Sequence, residues 1–370
     1  MKTAVVLSGG GSKGSYQLGV WKALKCLHIK YDIVTGTSIG ALNGVLMCEK
    51  NYFKAKRIWS KINLEYLFKQ QPASNKEIDI LKLYGKNIIK NGGMDIENIE
   101  TILKKSINKN KFYKSNIDFG LITYNFTTKK PLILTKNKIK EDKLVDYLMA
   151  SATCFPAFKM KDIDGFKYID GGYYDNLPIE LALDMGAEAL IIVDLEAPGI
   201  KRKPSRKVKS ITIKPKNNLS FFLDFSKENT KRNIKYGFND TMKAFKKLDG
   251  NKFSFKKGSI TKYYLNNKDR LLDYKEKDFL NSLESLGKTF KLDESKIYSL
   301  KSYSKALKEK IEQEILDKKM IKSIKDLTSK INTKTLIIYF LKNKRERKLN
   351  KVFSKEYKLA RCLEILGDQL

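Results

Sequence analysis

A glycine-rich segment near the amino terminus has the spacing of a loop that holds a negatively charged group. Residues 8–14 read SGGGSKG and contain Gly-x-Gly-x-x-Gly at Gly9, Gly11 and Gly14. At the start of a helix, such a loop directs backbone N–H groups at a phosphate in dinucleotide-binding folds. The same N–H groups can equally stabilise an oxyanion formed during catalysis. The segment alone leaves both kinds of chemistry open.

A second short motif supplies a candidate nucleophile. Residues 36–40 read GTSIG and fit Gly-x-Ser-x-Gly, with Ser38 at the centre. A nucleophilic serine needs a sharp turn between a strand and a helix, so that its hydroxyl projects from the backbone, and Gly36 and Gly40 relieve the crowding of such a turn. The alternative is that Ser38 only caps the helix that follows.

The base for this serine is expected to be a carboxylate. The chain contains one histidine, His28. If the glycine loop opens the first helix at the carboxyl edge of a sheet, about 13 residues of helix place His28 about 20 Å away, near the opposite edge. Ser38 lies on the side of the glycine loop. The distance argues against a Ser-His-Asp triad and predicts a surface or helix-end position for His28.

Asp170 is the strongest candidate base. Residues 168–178 read YIDGGYYDNLP and place Asp170 at the carboxyl end of a strand, followed by Gly171 and Gly172, which permit an unusual turn. Asp170 would share a sheet edge with Ser38. Taken alone, an aspartate before two glycines is explained by turn chemistry.

Two further aspartates are weaker candidates. Asp175 can simply organise the turn before Pro178, and Asp194 closes a predicted strand.

Alternating strand and helix patterns surround these motifs. Apolar runs bounded by glycine predict buried strands, and amphipathic runs predict helices. The predicted strands cover residues 4–7, 31–38, 117–125, 130–136, 166–170, 188–196 and 210–215, and the predicted helices cover 15–27, 39–51, 143–152 and 229–245. This order predicts an α/β fold with a mostly parallel sheet.

We expect three regions along the chain. An α/β core covers residues 1–200, a continuation of it with a strand and a helix covers 201–249, and a helical domain or lid covers 250–370. Residues 52–111 are polar and lysine-rich and are expected to form a largely helical insertion at the rim of the sheet. Residues 335–353 place an apolar run beside a basic cluster that could lie on an anionic bilayer, although a core helix with a solvated end explains the same pattern.

The charge balance points to a polyanionic partner. The formal net charge is +33, from 74 Lys and Arg against 41 Asp and Glu. Nucleic acid and an anionic membrane surface both attract such a chain, although lysine is abundant throughout and part of the excess is background. No segment interleaves aromatic and basic residues as nucleic-acid binding would require, so we expect an anionic membrane and no nucleic acid.

The cysteines indicate a reduced compartment. Cys26, Cys48, Cys154 and Cys362 are scattered, without a C-x-x-C pair and without a histidine nearby to complete a metal site. No apolar run reaches the length of a signal peptide core or a membrane span. We expect a cytoplasmic protein whose membrane contact is peripheral.

Four blocks in order resemble the patatin-like phospholipase family of lipid acyl hydrolases. They are SGGGSKG at 8–14, GTSIGALNG at 36–44, MASATCFPAF at 149–158 and YIDGGYYDNLP at 168–178, and DMGAEALIIVDL at 184–195 fits the strand that follows. The resemblance covers about residues 1–200 and continues weakly to about 248. It implies a three-layer α/β sandwich, here with a mainly helical C-terminal region.

The resemblance also implies a function. The protein would be a serine esterase of the phospholipase A type that cleaves fatty acyl esters of lipids through a Ser-Asp dyad, without a cofactor or a metal. Ser38 would attack the ester carbonyl, Asp170 would accept its proton, and water would hydrolyse the acyl-enzyme. The implied oxyanion hole consists of Gly10, Gly11, Ser12 and Lys13. The supporting glycines are Gly9, Gly14, Gly36, Gly40, Gly171 and Gly172.

One position departs from the family pattern. The family usually has arginine where this sequence has Lys13. Lysine keeps the positive charge but lacks the planar fork of arginine, so the role of this side chain in fixing the loop or the anion stays open.

Two other functions compete with the hydrolase. A dinucleotide-binding oxidoreductase should have an acidic residue at the end of its second strand, whereas Asp32 begins that strand here. A non-catalytic basic membrane-binding protein on the same scaffold would lack Ser38 or Asp170, and both residues are present.

Overall fold

The computed structural model describes residues 1–62, 93–271, 274–317, 332–342 and 352–367, together with positions 79, 82, 85, 86, 88 and 90. The chain divides into two compact units, Met1–Ala244 and Phe245–Leu370.

The first unit is built on a sheet of eight strands. They are β1 (Thr3–Leu7), β2 (Ile33–Thr37), β3 (Asp118–Asn125), β4 (Lys130–Thr135), β5 (Lys161–Ile163), β6 (Phe166–Asp170), β7 (Ala189–Val193) and β8 (Lys209–Ile213). The order across the sheet is β5–β6–β3–β2–β1–β7–β8, and β4 also pairs with β3. The strands from β3 to β8 in this order pair in parallel, whereas β4, β5 and β6 pair antiparallel. The predicted mostly parallel sheet is confirmed.

Helices cover both faces of this sheet. They are α1 (Ser15–Cys26), α2 (Ile39–Cys48), α3 (Tyr52–Lys61), α4 (Glu97–Ser106), α5 (Lys109–Tyr113), α6 (Leu144–Ala152), α7 (Ile179–Asp184) and α8 (Lys227–Ala244). On one face, alternate residues of β1, β2 and β7 pack against the α7 region. The residues between them, such as Val5 and Val34, are also fully buried. Since successive side chains of a strand point to opposite faces, the sheet is the middle layer of three.

The register of β3 brings two distant segments together. β2 pairs with β3 as far as Thr37, which lies opposite Ile122. At the next residue β6 takes over, with Asp170 opposite Thr123. The carboxyl ends of β2 and of the antiparallel β6 therefore meet beside β3.

Helix α8 packs on α1 within the first unit. The hydroxyl of Tyr16 donates a hydrogen bond to Asp240 Oδ2 at 3.0 Å, and both side chains are buried. Residues after the last strand of the sheet thus help to hold the helix that follows the glycine loop.

The second unit has a core of its own. Its helices are α9 (Ser259–Asn266), α10 (Glu276–Thr289), α11 (Leu300–Asp317), α12 (Thr333–Lys342) and α13 (Ser354–Gly367). Three short strands, β9 (Leu248–Asp249), β10 (Ser254–Lys256) and β11 (Ile297–Tyr298), form a small sheet that the helical pattern did not predict. Strands of two or three residues are too short to show alternation in a sequence.

The apolar part of residues 335–353 belongs to that core. Leu336, Ile337 and Phe340 of α12 are buried in it, which favours the interpretation as a core helix for this part. The adjoining basic cluster at 343–351 lies outside the described residues. Among the described helices, none is long and apolar enough to cross a membrane.

Candidate active site

Ser38 stands between β2 and α2 in a strained backbone conformation. Its φ is 57° and its ψ is −129°, a region that costs a non-glycine residue on the order of 1–3 kcal/mol. A Cβ on Gly36 would lie 2.4 Å from the backbone of Gly40, and a Cβ on Gly40 would lie 2.3 Å from the carbonyl oxygen of Leu7. Because only glycine allows this approach of β1, β2 and α2, the chain can turn sharply at Ser38.

Ser151 of α6 holds this turn in place. The backbone N–H of Ser38 donates to Ser151 Oγ at 2.9 Å, and the Ser151 hydroxyl donates to the carbonyl of Ile122 at 2.7 Å. Ser151 is fully buried. The turn is therefore tied to the central strand β3.

Asp170 lies beside Ser38 and is almost fully buried. Its carboxylate lies close enough to the Ser38 side chain for that hydroxyl to help stabilise its charge, and its Oδ1 accepts the N–H of Gly172 at 2.8 Å. Burial raises the pKa of Asp170 to about 6, although the Ser38 hydroxyl and the Gly172 N–H act in the opposite direction. A carboxylate with this pKa is ionised at neutral pH and is a stronger base than an ordinary aspartate.

The glycine loop has two free backbone N–H groups at the cavity that contains Ser38 and Asp170. Gly10 and Gly11 line the cavity that contains Ser38 and Asp170, and their N–H groups have no hydrogen-bond partner among the described residues. The N–H of Ser12 instead donates to the carbonyl of Phe222 at 2.7 Å, and that of Lys13 donates to the carbonyl of Gly10 at 3.1 Å. Of the four expected oxyanion-hole residues, only Gly10 and Gly11 have amides available in this conformation.

The Lys13 side chain is half-buried and does not line the cavity. Burial lowers its pKa, and the nearby Glu196 carboxylate acts against that shift.

Asn176 connects the glycine loop with the Asp170 turn. The N–H of Gly9 donates to the Asn176 carbonyl at 3.1 Å and lies 3.2 Å from its Oδ1, while Asn176 Nδ2 donates to the carbonyl of Pro198 at 3.2 Å. A Cβ on Gly172 would lie 3.1 Å from both Asn176 Oδ1 and Asp170 Oδ1, so these two oxygens are at most about 6 Å apart.

The remaining supporting glycines mark close contacts. A Cβ on Gly9, Gly14 or Gly171 would lie within 2.4 Å of Asn176, Ile39 or the Ile122 carbonyl respectively.

The catalytic candidates open into a cavity of about 530 Å³ with mainly apolar walls. The walls include Ile39, Leu42 and Leu46 of α2, Ile58 and Trp59 of α3, Ile99, Ile102 and Leu103 of α4, and Phe222, Leu223 and Phe225. A cavity of this volume and polarity suits an apolar ligand with one polar group at its end.

The other titratable candidates lie elsewhere. Asp175 accepts the N–H of Leu177 at 3.1 Å, as expected for a residue that organises a turn. Asp194 accepts two hydrogen bonds from Lys201 Nζ, at 2.7 and 2.9 Å. His28 is exposed at the end of α1. None of the three lines the cavity.

No metal site accompanies these residues in the part of the chain that the structure describes. There, no group of three or more His, Cys, Asp or Glu side chains is arranged to hold a metal ion.

The segment that carries this site matches the family model named patatin-like phospholipase over residues 5–183. This segment belongs to the patatin-like phospholipase family. All four motif blocks fall within the matched range, so the patatin-like domain contains both Ser38 and Asp170.

Curated relatives are similar over the same domain. Human patatin-like phospholipase domain-containing protein 6 (Homo sapiens) is 28% identical over 205 residues, 52% of this chain and 13% of that protein. The rat protein 7 of the same series (Rattus norvegicus) is 30% identical over 200 residues, 52% of this chain and 13% of that protein. Lysophospholipase NTE1 of Mycosarcoma maydis is 28% identical over 200 residues, 53% of this chain and 10% of that protein. The chain thus spans only 10 to 13% of the length of these relatives.

A solved structure is similar over most of the chain, but weakly. The crystal structure of VipD from Legionella pneumophila is matched over 99% of this chain and 90% of that one, with 16% identity and a TM-score of 0.40. That score is too low to support an argument. The family model and the curated relatives, in contrast, support lipid-hydrolase activity for the patatin-like domain.

The sequence interpretation missed part of the cavity. The insertion at 52–111 was expected to be a polar rim, yet α3 and α4 of the patatin-like domain supply apolar walls. The signal was present: Ile58, Ile62 and Ile96, Ile99, Leu103 follow helical spacing. Residues 63–92 of the insertion lie largely outside the described part.

Proposed function

We propose that this protein is a serine acyl hydrolase that cleaves fatty acyl esters of phospholipids, with Ser38 as nucleophile and Asp170 as base. The observation that carries the proposal is that these two side chains lie beside each other in the wall of a mainly apolar cavity. A nucleophile held against its base, with acyl-sized apolar space beside it, fits ester cleavage.

In the first half of the reaction, Asp170 accepts the proton of the Ser38 hydroxyl while Oγ attacks the ester carbonyl carbon. The carbonyl oxygen becomes an oxyanion, which the N–H groups of Gly10 and Gly11 stabilise by hydrogen bonds. Losing one such donor typically costs about 10²–10³ in turnover. The tetrahedral intermediate then collapses, the proton passes from Asp170 to the leaving alcohol, and an acyl-enzyme remains on Ser38.

In the second half, Asp170 accepts a proton from water, whose oxygen attacks the acyl carbonyl. The same two N–H groups stabilise the new oxyanion. Collapse returns the proton to Ser38 Oγ and releases the fatty acid. Asp170 therefore acts as base and acid in turn, which a single carboxylate with a pKa near 6 can do.

The shape and walls of the cavity support an acyl chain as the bound group. The polar groups Ser38 and Asp170 share the cavity with apolar side chains from α2, α3 and α4. We propose that the chain of the fatty acid lies among Leu46, Ile102 and Leu103 while the ester lies against Ser38.

The place where the protein acts and the role of each region are proposed from the net charge and the domain organisation. With a net charge of +33, the protein is suited to act at an anionic membrane surface from the cytoplasm as a peripheral protein. Catalysis is assigned to residues 1–200 with the continuation to 249, and residues 250–370 are proposed as a separate helical domain or lid.

The test measures fatty acid released from mixed anionic and zwitterionic phospholipid vesicles, and alcohol released from a short-chain aryl ester. The variants are Ser38→Ala, Asp170→Ala and the nearly isosteric Asp170→Asn. Ser60→Ala and Asp184→Asn are matched controls, because both side chains are exposed and neither lines the cavity. Circular dichroism checks that each variant is folded.

We expect both activities in the wild type and the controls, and a loss of at least 10³-fold in the dyad variants. A fluorophosphonate should label wild type at Ser38, as a peptide mass map would show. Cleavage of the aryl ester alone would uphold the dyad and overturn the phospholipid assignment. A folded wild type that cleaves neither ester and takes no label would favour the non-catalytic membrane-binding alternative.

A further inference from the structure

One edge of the first unit carries exposed apolar side chains next to basic ones. We call this the rim surface and define it as Phe126, Phe166, Tyr173, Ile200, Arg202 and Lys203. The exposed fractions are 45% for Phe126, 43% for Phe166, 44% for Tyr173 and 56% for Ile200. In the described part of the first unit, only Met1, Phe53 and Ile133 are large apolar residues of similar exposure.

The turn after β3 and the start of β6 carry Phe126 and Phe166 beyond the end of β2. Strand β3 continues past the partner of Asp170 to Asn125, and the turn after it begins with Phe126. The N–H of Phe126 donates to the carbonyl of Lys167 at 2.8 Å, which places Phe126 beside the start of β6, where Phe166 lies. Both segments lie on the side of the sheet where Ser38 and Asp170 meet.

Contacts connect these segments with the cavity. The ring of Phe126 lies 6.2 Å from that of Phe155, and the hydroxyl of Tyr173 donates to the Phe155 carbonyl. The N–H of Ile200 donates to the carbonyl of Gly172 at 3.0 Å. Tyr173 and Ile200 are both exposed and both line the cavity, so the rim surface borders its opening.

The basic part follows directly along the chain. Residues 198–207 are exposed without interruption. The guanidinium of Arg202 lies over the ring of Tyr174, 4.5 Å from its centre. Lys203 has no carboxylate within ion-pair distance among the described residues.

Acidic groups also lie near the rim surface. Asp162 contacts Lys167 at 2.8 Å, Asp164 contacts Lys143 at 2.5 Å, and Glu196 contacts Lys214 at 3.5 Å. Asp175 and Glu180 have Arg202 nearby, and Glu180 also accepts hydrogen bonds from Ser205.

Residues 198–207 contain five basic residues and no acidic one. The basic residues of this segment outnumber its acidic neighbours, so the charge left over at the rim surface is positive, which selects an anionic partner.

We infer that the rim surface docks the protein on an anionic phospholipid bilayer. The aromatic and aliphatic side chains enter the boundary between headgroups and acyl chains, and Arg202 and Lys203 contact the lipid phosphates. Docking in this way places the cavity opening at the interface, from which a phospholipid acyl chain can enter without crossing water. This inference rests on the proposed function for the use of the cavity, but the docking can be measured without it.

The test compares two pairs of substitutions with matched controls, all on the full chain. The basic pair is Arg202→Gln with Lys203→Gln, and the apolar pair is Phe126→Ser with Phe166→Ser. Lys30→Gln with Lys114→Gln removes the same charge from exposed positions at the amino ends of β2 and β3. Phe53→Ser removes an aromatic side chain that is 77% exposed on α3.

Binding is measured by flotation with vesicles of equal parts phosphatidylglycerol and phosphatidylcholine, and with phosphatidylcholine alone. A Ser38→Ala background keeps the vesicles intact. We expect the basic pair to weaken binding to anionic vesicles about 25-fold at low salt, and less at high salt. The apolar pair should weaken it about 10-fold, and the controls should change it less than 3-fold.

A tryptophan at the rim reports insertion directly. The two native tryptophans, Trp21 and Trp59, are buried. The fluorescence of a Phe126→Trp variant should shift to the blue and be quenched by brominated lipid in anionic vesicles, whereas that of Phe53→Trp should not.

The outcomes separate this inference from the proposed function. The rim surface would be overturned as the docking site if the rim variants bind anionic vesicles as the wild type does. The same holds if the Lys30/Lys114 control loses as much vesicle binding as the basic pair. A wild type that does not bind anionic vesicles would exclude the bilayer as the partner of the rim surface and would favour a protein partner. Normal vesicle binding without cleavage of any ester would uphold the docking while the proposed function fails.

Discussion

The backbone N–H of Ser38 donates a hydrogen bond to the hydroxyl oxygen of Ser151 at 2.9 Å, and that hydroxyl in turn donates one to the Ile122 carbonyl at 2.7 Å. The proposed nucleophile is thus held by a side chain that never faces the substrate. Ser38 sits in a strained conformation, which persists only when its surroundings determine it.

Replacing Ser151 should therefore damage turnover more than binding. Ser151→Ala leaves the Ser38 N–H and the Ile122 carbonyl without this partner, at a cost of about 1–3 kcal/mol each when such groups stay buried. We expect kcat on the aryl ester to fall about 10-fold or more with little change in KM. A Ser151→Cys variant, which keeps a weak donor and acceptor, should recover part of kcat. Equal loss in both variants with unchanged stability would contradict the positioning role.

The pKa of Asp170 predicts the acid limb of activity. Because burial raises this pKa to about 6, the base form is lost as the pH falls through 6. kcat/KM on the uncharged aryl ester should rise about tenfold per pH unit below 6 and level off above it. A limb near pH 4, where an ordinary aspartate titrates, would contradict the burial of the functional base.

The same shift predicts a gain in stability from removing the charge. A carboxyl whose pKa is raised in the folded state from 3.8 to about 6 stabilises the fold below pH 3.8, and this contribution is lost as the pH rises through 6. Asp170→Asn should thus raise the free energy of unfolding at pH 8 by up to on the order of 3 kcal/mol and have no such effect at pH 3.5. Urea unfolding at both values measures this, with Asp184→Asn as control.

An added charge at Asn176 should move the acid limb. Asn176 Oδ1 lies at most about 6 Å from Asp170 Oδ1, and a carboxylate at that distance disfavours ionisation of Asp170. We expect Asn176→Asp to shift the limb of kcat/KM upward by about one pH unit. Asn176→Ser, which adds no charge, should lower kcat without moving the limb. A limb that stays at the wild-type pH in Asn176→Asp would contradict the proximity or the role of Asp170.

Filling the cavity should change the preferred acyl length. Ile102 lies on the cavity wall, whereas its neighbour Thr101 is exposed on another face of α4. We expect Ile102→Trp to reduce cleavage of long-chain esters at least 10-fold while butyrate esters are cleaved at close to the wild-type rate. Thr101→Trp should leave the chain-length profile unchanged. Equal loss on short and long esters would point to damage at Ser38 rather than to a filled acyl site.

Removing the only histidine should have no effect on catalysis. His28 is exposed and does not line the cavity. His28→Gln should retain kcat, KM and the acid limb within about twofold, in the same pH titration. A lost limb in this variant would assign the titration to imidazole and exclude Asp170 as its source.

Local patterns in the sequence predict the elements that carry the site. The spacing of glycines around Ser38 predicts a sharp turn because only glycine lets the backbones approach, and Gly36 and Gly40 meet that requirement. Apolar runs predict seven of the eight strands of the sheet within a few residues of their bounds, whereas the short strand Lys161–Ile163 has no such run. These features depend on residues that are close together in the chain, so local sequence patterns are sufficient to predict them.

The completion of the site depends on contacts between segments that are distant in the chain. Asp170 reaches Ser38 because β6 runs antiparallel along β3 and begins to pair where β2 ends. This register is set by contacts between segments 43 to 85 residues apart in the chain. The packing of residues 221–225 likewise engages the amide of Ser12 and leaves those of Gly10 and Gly11 free. Helices α3 and α4 become cavity walls only when α3 packs on α2 and α4 packs on α6. Such contacts depend on which segments meet in space, and no periodicity within a segment encodes them.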